Sequence, residues 1–226
     1  MKKFIIVLLF TLLSSNCMAH MAHYNKFNKI EMEIFRNDKL VGFSNFFFTR
    51  KGNETIVINQ TKFSIKILGL TLFEIEGHSE EKYIKDQLIS YNSKTNQNDI
   101  KKYVNLTYDK NKKKFNIKGS SYSGEASIDN IIGNWWNHKI LQANSQISPL
   151  SGSIKKQIVT FIGKEKINQY GQIFEVQHFT LKSKNMNLPK DKRLDFDIWY
   201  DSINAIIIKV SYSRMGTWEY RLKNIE

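Results

Sequence analysis

The stretch KFSIKILGLTLFEIEG (62–77) decides the fold class, because its apolar and polar side chains alternate with a period of two. The alternation begins at Phe63, stops at Gly69 and resumes with Phe73 and Ile75. Strict alternation is typical of a β-strand with one buried face, and a glycine between two such runs favours a turn. The stretch therefore predicts two antiparallel strands joined at Gly69.

Similar strand-like runs extend from this hairpin in both directions, spaced by about eight to twelve residues as in meandering sheets. They cover residues 29–36, 40–50, 88–96, 101–109, 114–122, 154–167, 172–183, 193–201, 204–214 and 217–223. A sheet with so many strands has to curl, split or close. We therefore predict a mainly β fold: a strongly curved or nearly closed antiparallel meander, a half-barrel or barrel, of about 10–12 strands.

The segment 128–150 interrupts this pattern, because its sequence IDNIIGNWWNHKILQANSQISPL shows no alternation. Ile128, Ile131, Ile132 and Trp135 follow one another at helical spacing. The segment predicts one short helical stretch near 128–141, placed at a mouth or an edge of the sheet.

The first residues have the features of a secretory signal. Lys2 and Lys3 precede an uncharged apolar run, FIIVLLFTLL (4–13), which is too short to cross a bilayer as a helix. We expect cleavage after Ala19, which gives a signal peptide over 1–19, a single β-rich domain over 20–226 and a periplasmic location. Acylation at Cys17, which would make the protein a lipoprotein, is the alternative.

Composition excludes several classes of protein. The 226 residues carry a net charge of +13, 41% are hydrophobic and one is cysteine, which argues against a disordered chain and against a disulfide or zinc scaffold. The basic residues are 29 Lys and only 5 Arg. Because proteins that bind the phosphates of nucleic acids favour Arg, we expect no nucleic-acid partner. A cluster at a predicted hairpin tip is instead a candidate contact with an anionic membrane surface. It consists of Lys110, Lys112, Lys113 and Lys114.

Six short motifs, taken in their order along the chain, resemble a family of exported Gram-negative proteins that is known only as a domain of unknown function. They are GFSNFFF (42–48), FSIKILGLTLFEIEGHSEE (63–81), LISYNSKT (88–95), WWNHKIL (135–141), ISPLSG (147–152) and DIWYD (197–201). The resemblance implies a periplasmic β-rich domain with no established activity, so no catalytic residue is carried over. The last motif and the strand after it also look, more distantly, like the closing hairpin of lipoprotein-carrier-like half-barrels.

The segment NWWNHKIL (134–141) offers the best candidate ligand site. Trp135 and Trp136 supply apolar area, and His138 supplies a hydrogen-bonding edge, which together suit a ligand mouth. In the alternative, one of the two tryptophans fills the core. His178 and Trp199, on two later strands, are further candidates for ligand contact, although a buried structural histidine is the default for His178.

Other chemistry finds little support in the sequence. There is no Gly-x-Ser-x-Gly motif and no phosphate-binding glycine loop, and the predicted mature chain has no cysteine, so we expect no catalytic residue and no cofactor. His78 shares a strand face with three glutamates, but that face is the solvated one, and we predict no metal site. Asp195 and Asp197 lie on one face of a strand, as a glycosidase pair would, or they are salt-bridge partners.

These observations favour an envelope protein that is not an enzyme and whose curved sheet binds a hydrophobic small molecule, such as a lipid or an acyl chain. The first alternative is a non-catalytic module that binds another envelope protein. The second is a hydrolase acting on envelope glycans or esters, which would need a cleft that joins Asp195 or Asp197 to a second acid or a histidine.

Overall fold

The computed structural model describes residues 20–226, so the predicted signal peptide and Cys17 lie outside the described residues. The described chain forms fifteen strands in one sheet. The strands are β1 (Lys29–Arg36), β2 (Lys39–Lys51), β3 (Glu54–Ile67), β4 (Leu70–Ile84), β5 (Gln87–Gln97), β6 (Ile100–Asp109), β7 (Lys114–Gly119), β8 (Ser123–Ser127), β9 (Ile131–Ile132), β10 (Ser145–Ile147), β11 (Ile154–Gln169), β12 (Gln172–Ser183), β13 (Asp195–Asp201), β14 (Ile206–Ser213) and β15 (Thr217–Ile225). Three short 3-10 turns occur at His20–Tyr24, His138–Leu141 and Lys190–Lys192.

The strand order is β8-β7-β6-β5-β4-β3-β2-β1-β15-β14-β13-β12-β11-β10-β9. Strands that are neighbours in the sequence pair antiparallel, except that β9 pairs parallel with β10 and that β8 and β9 do not pair. The pairing of β1 with β15 joins the two halves of the meander. The two edge strands are adjacent in the chain, since β8 ends at Ser127 and β9 begins at Ile131. The two edges of the sheet therefore come close together without pairing. The predicted mainly β fold, a strongly curved or nearly closed antiparallel meander, is confirmed, but the described residues form fifteen strands and not the expected 10–12.

Twelve of the strands correspond to the alternating runs seen in the sequence. The other three are β8, β9 and β10, which have five, two and three residues and are too short to show a period. The predicted helical stretch near 128–141 reduces to the single 3-10 turn His138–Leu141, capped by the Asn137 side chain. The backbone before this turn includes a short strand and no helix, because Ile131 and Ile132 pair with β10.

The hairpin turns of the meander lie at two opposite ends of the barrel-like sheet. One end carries the β1–β2, β3–β4, β5–β6 and β14–β15 turns, and we call it the mouth end. The opposite end carries the β2–β3, β4–β5, β6–β7 and β13–β14 turns, and we call it the base end. The N-terminal 3-10 turn lies at the base end, where the Met21 N–H donates to Asp86 in the β4–β5 turn. Arg50, at the end of β2, donates to the Tyr24 carbonyl.

The interior is packed toward the base end. Tyr24 and Trp136 are almost completely buried there, and their rings meet edge to face at 5.0 Å. Phe48 and Tyr83 also pack edge to face on the Trp136 ring, at 5.4 and 5.9 Å. Large aromatic side chains from the sheet, from the N-terminal turn and from the 133–141 segment thus fill this half of the interior.

Candidate functional site

The half of the interior toward the mouth end contains a chamber of about 500 Å³. Most of its wall is the inner face of β2 to β5, and the remainder comes from the β14–β15 hairpin and from segments 133–135 and 149–150. The Pro149 carbonyl is fixed to the wall, because Tyr91 and Ser93 both donate to it, over 3.1 and 2.7 Å. The interior is therefore filled at one end and hollow at the other.

Aromatic side chains form one part of the chamber wall. They include Phe46, Phe63, Phe73, Trp135, Trp218 and Tyr220. The Trp135 ring packs against Phe196 at 5.0 Å and Tyr220 at 6.3 Å, and the Trp218 ring packs edge to face on Phe63 at 5.4 Å. Because these rings hold one another in place, the apolar wall is preformed.

Polar side chains of β2 and β3 form another part of the wall and satisfy one another. Ser44 Oγ lies 2.7 Å from Thr61 Oγ1, and Asn59 Nδ2 donates to Ser44 Oγ over 3.0 Å. The Thr61 hydroxyl donates to Asn59 Oδ1 over 3.0 Å. These mutual hydrogen bonds reduce the cost of placing an apolar ligand beside the hydroxyl and amide groups.

Two arginines, one methionine and one leucine surround the opening of the chamber. Arg36 is half-buried, and its Nε is buried without a hydrogen-bond partner. Its Nη2 donates to the Met215 carbonyl, and Arg214 donates to the Arg193 carbonyl. Among residues 20–226 neither guanidinium pairs with a carboxylate. Leu72 and Met215 line the opening and are also exposed, so the chamber reaches the surface between them.

A buried carboxylate lies beneath the chamber. Glu81 is 1% exposed, and its Oε1 accepts hydrogen bonds from Trp136 Nε1 and Asn134 Nδ2, while its Oε2 accepts from the Tyr83 hydroxyl. Burial raises the pKa of Glu81 to about 7 despite these donors. Asn134 lines the chamber, and its buried Oδ1 has no hydrogen-bond partner within residues 20–226.

The three predicted residues of the WWNH motif have different positions. Trp135 lines the chamber, whereas Trp136 is 1% exposed in the packed half of the core. His138 lies at the base end, where its Nδ1 is 2.7 Å from the Tyr24 hydroxyl, and the same hydroxyl accepts from the His138 backbone N–H. Desolvation of the imidazole lowers the pKa of His138 to about 4. Only Trp135 of this motif therefore faces the chamber.

His178 and Trp199 lie together, but they are not among the residues that line the chamber. Their rings stack at 4.7 Å, His178 Nε2 is 2.8 Å from Asp197 Oδ1, and His178 Nδ1 is 3.3 Å from Glu165 Oε1. Trp199 Nε1 also donates to Glu165, over 2.5 Å. Both imidazole nitrogens face carboxylates, so the cluster has the arrangement of a structural polar network. Asp195 lies apart from it and is exposed, 3.8 Å from Lys182.

The four clustered lysines are exposed in and beside the β6–β7 turn at the base end. Lys112 and Lys114 each pair with Glu125 at 2.8 Å, which neutralises part of the local positive charge. His78 is exposed on the outer face of β4, away from the buried Glu81.

Glu81 and Arg36 belong to the candidate site but are not among the residues predicted from the sequence. Glu81 could have been found from the period of β4, because Phe73 and Ile75 fix the inward phase and Glu81 falls on it. Nothing in the sequence around Arg36 marks it as a residue without a carboxylate partner. That property depends on where the β14–β15 hairpin lies.

Among residues 20–226, no helix has the length and apolar character needed to cross a membrane.

The structure is similar to a β-barrel-like protein of the domain of unknown function DUF1849 from Brucella abortus. The TM-score is 0.59 with 7% sequence identity, and the match covers 88% of this chain and 96% of the other. A protein with a YmcC-like fold from Bacteroides fragilis matches with a TM-score of 0.35 and 12% identity, over 88% of this chain and 94% of the other. No curated protein matches the chain.

Residues 32–223 match the family described as domain of unknown function DUF6134. This match spans nearly all of the β-sheet and confirms the expected relationship to an uncharacterised family. The chain belongs to the DUF6134 family of domains of unknown function.

Proposed function

We propose that this protein is an exported carrier or receptor that binds one amphiphile in the chamber, with the apolar chain inside and a carboxylate or phosphate head at the mouth. The observation that carries the proposal is the chamber of about 500 Å³ with aromatic walls beside Arg36. Its volume falls within the range of about 300–1,000 Å³ that is usual for small-molecule sites. An acyl chain would cover the rings of Trp135, Phe63 and Trp218.

The charges at the mouth support an anionic head. Arg36 and Arg214 line the opening, and neither has a carboxylate partner among residues 20–226. A guanidinium binds carboxylate and phosphate oxygens through charge-assisted hydrogen bonds. A head at this position would also approach the Arg36 Nε, which is buried without a hydrogen-bond partner.

Export is the second part of the proposal. The basic and then apolar sequence of residues 2–13 supports it, since this is the order of regions in a secretory signal. A periplasmic or extracellular location would place the chamber where lipids of the cell envelope are available.

Mass spectrometry of an organic extract from the purified, exported protein tests this function. We expect a lipid or fatty acid at close to one molecule per chain, reduced in Trp135→Ala. Protein that is repeatedly free of bound amphiphile, and that does not take one up from a lipid extract, would refute the proposal.

A further inference from the structure

The tip of the β3–β4 hairpin exposes leucines that no part of the described chain covers. Leu68 is 98% exposed, Leu70 70% and Leu72 55%. They belong to the stretch KILGLTL (66–72), which contains one basic and no acidic residue. Soluble proteins expose single apolar side chains commonly, but contiguous exposed apolar residues on a protruding element indicate a contact surface.

The requirements of the turn do not explain a leucine at its tip. Leu68 has φ of +49° and lies in the left-handed region, which disfavours a side chain of this kind. The β1–β2 and β5–β6 turns at the same end place Asn37-Asp38 and Asn98-Asp99 at such positions, the residue types that tolerate this region best. The leucine at this position therefore costs some conformational free energy compared with Asn or Asp.

A further exposed apolar side chain lies beside the chamber opening on the β14–β15 turn. Met215, in the β14–β15 turn, is 88% exposed, and it lines the opening together with Leu72. Each of these two hairpin tips also carries an exposed basic side chain, Lys66 near the end of β3 and Arg214 in the β14–β15 turn. The β3–β4 and β14–β15 hairpin tips thus combine exposed apolar groups with positive charge, which is the combination that binds anionic lipid bilayers.

We propose that the β3–β4 hairpin tip and Met215 dock the protein on an anionic lipid bilayer, with Leu68 and Leu70 entering the headgroup region. This interaction surface goes beyond the proposed function, because docking does not require a ligand in the chamber. The charge favours a bilayer as the occupant, since basic side chains near an anionic leaflet gain energy from it. The orientation places the chamber opening against the membrane.

Co-sedimentation of the purified protein with phosphatidylcholine vesicles that contain phosphatidylglycerol tests the docking. We expect the double variant Leu68→Asn/Leu70→Thr to lower the partition coefficient by about tenfold or more, because two leucines no longer leave water. The matched control is Ile203→Asn, which removes an 85% exposed side chain from the β13–β14 turn at the base end. We expect it to bind like the wild type, and circular dichroism checks that both variants are folded.

Three results would overturn the docking proposal. The first is wild-type protein that does not bind the vesicles. The second is binding that survives Leu68→Asn/Leu70→Thr but is lost in Lys110→Gln/Lys113→Gln, which would move the contact to the base end. The third is a concentration-dependent dimer in gel filtration that Leu68→Asn abolishes, since a second copy of the chain would then cover the tip.

Discussion

Glu81 and Trp136 meet in the interior of the barrel-like sheet, where the indole Nε1 donates to the carboxylate Oε1 over 2.9 Å. Glu81 comes from β4 in the wall, and Trp136 comes from the segment that crosses the interior between β9 and β10. Tyr83 donates to the other carboxylate oxygen over 2.7 Å, and no cation pairs with Glu81 among residues 20–226. Through these hydrogen bonds, Glu81 holds the crossing segment against the inner face of β4, directly beneath the chamber.

Replacing Glu81 by Gln should change the pH dependence of stability. The pKa of Glu81 is about 7 in the folded protein, against an ordinary value of 4.5. The folded state therefore holds this proton more tightly than the unfolded chain does. The stabilisation that results is full below about pH 4.5 and is lost as the pH rises through about 7, a change of about 3 kcal/mol.

Urea unfolding between about pH 5 and about pH 8 measures this difference. We expect the free energy of unfolding to fall with pH less steeply in Glu81→Gln than in the wild type. Glu80→Gln, on the opposite face of the same strand, is the control and should keep the wild-type slope. Equal slopes in all three proteins would show that Glu81 does not titrate in this range.

Replacing Trp136 by Phe should destabilise the protein because it removes one of the donors to Glu81 and leaves part of the indole volume empty. We expect a loss of about 2–4 kcal/mol in the free energy of unfolding. In a double-mutant cycle with Glu81→Gln, a coupling of about 1 kcal/mol or more is expected above pH 7, where the carboxylate needs its donors most. Additive effects would mean that the hydrogen bond contributes little.

Much of this fold could be predicted from the sequence, and the reason is visible in β3 and β4. Their alternation fixes both the strand and its inward face, since Phe63, Phe73 and Ile75 all line the chamber. The segment 128–150 could not be predicted in the same way. Its short strands β9 and β10 owe their structure to partners distant in the chain, so local spacing indicated a helix where a 3-10 turn occurs.

The candidate site was predictable only in part. Trp135 and Trp136 are adjacent in the sequence, yet Trp135 lines the chamber and Trp136 fills the core. Only the Trp136 indole donates to Glu81, a hydrogen bond that holds this ring in the core and that depends on a strand distant in the sequence. His178 and Trp199 pair with Glu165 across two strand pairings, and that arrangement requires knowledge of the register.

Gly42 should not tolerate a side chain. It lies opposite Phe63 in the β2–β3 register, and a Cβ at this position would be 2.1 Å from the Lys62 carbonyl oxygen. We expect Gly42→Ala to destabilise the protein by about 1–3 kcal/mol, because the two strands must separate near the chamber mouth. Thermal unfolding measures the effect. Gly163→Ala is the control, since a Cβ there would meet no atom within 4 Å, and a similar loss in both variants would contradict the explanation.

Arg36→Gln should reveal whether the mouth recognises an anionic head. We expect the affinity for a long-chain fatty acid to fall about tenfold, because a charge-assisted hydrogen bond is lost, while the affinity for the corresponding alcohol stays unchanged. Lys39→Gln, an exposed lysine at the same end that does not line the chamber, is the control. Competition with a fluorescent fatty acid measures both affinities. An equal loss for acid and alcohol would assign Arg36 a purely structural role.

The most direct measurement for the chamber as a binding site is titration of delipidated protein with a fluorescent polyene fatty acid, in the wild type, Trp135→Ala and Trp199→Ala. The two tryptophans are both half-buried, but only Trp135 lines the chamber. We predict saturable binding of one molecule per chain, weakened about tenfold or more by Trp135→Ala and unchanged by Trp199→Ala. A signal that does not saturate, or an equal loss of affinity in the two variants, would contradict binding inside the chamber.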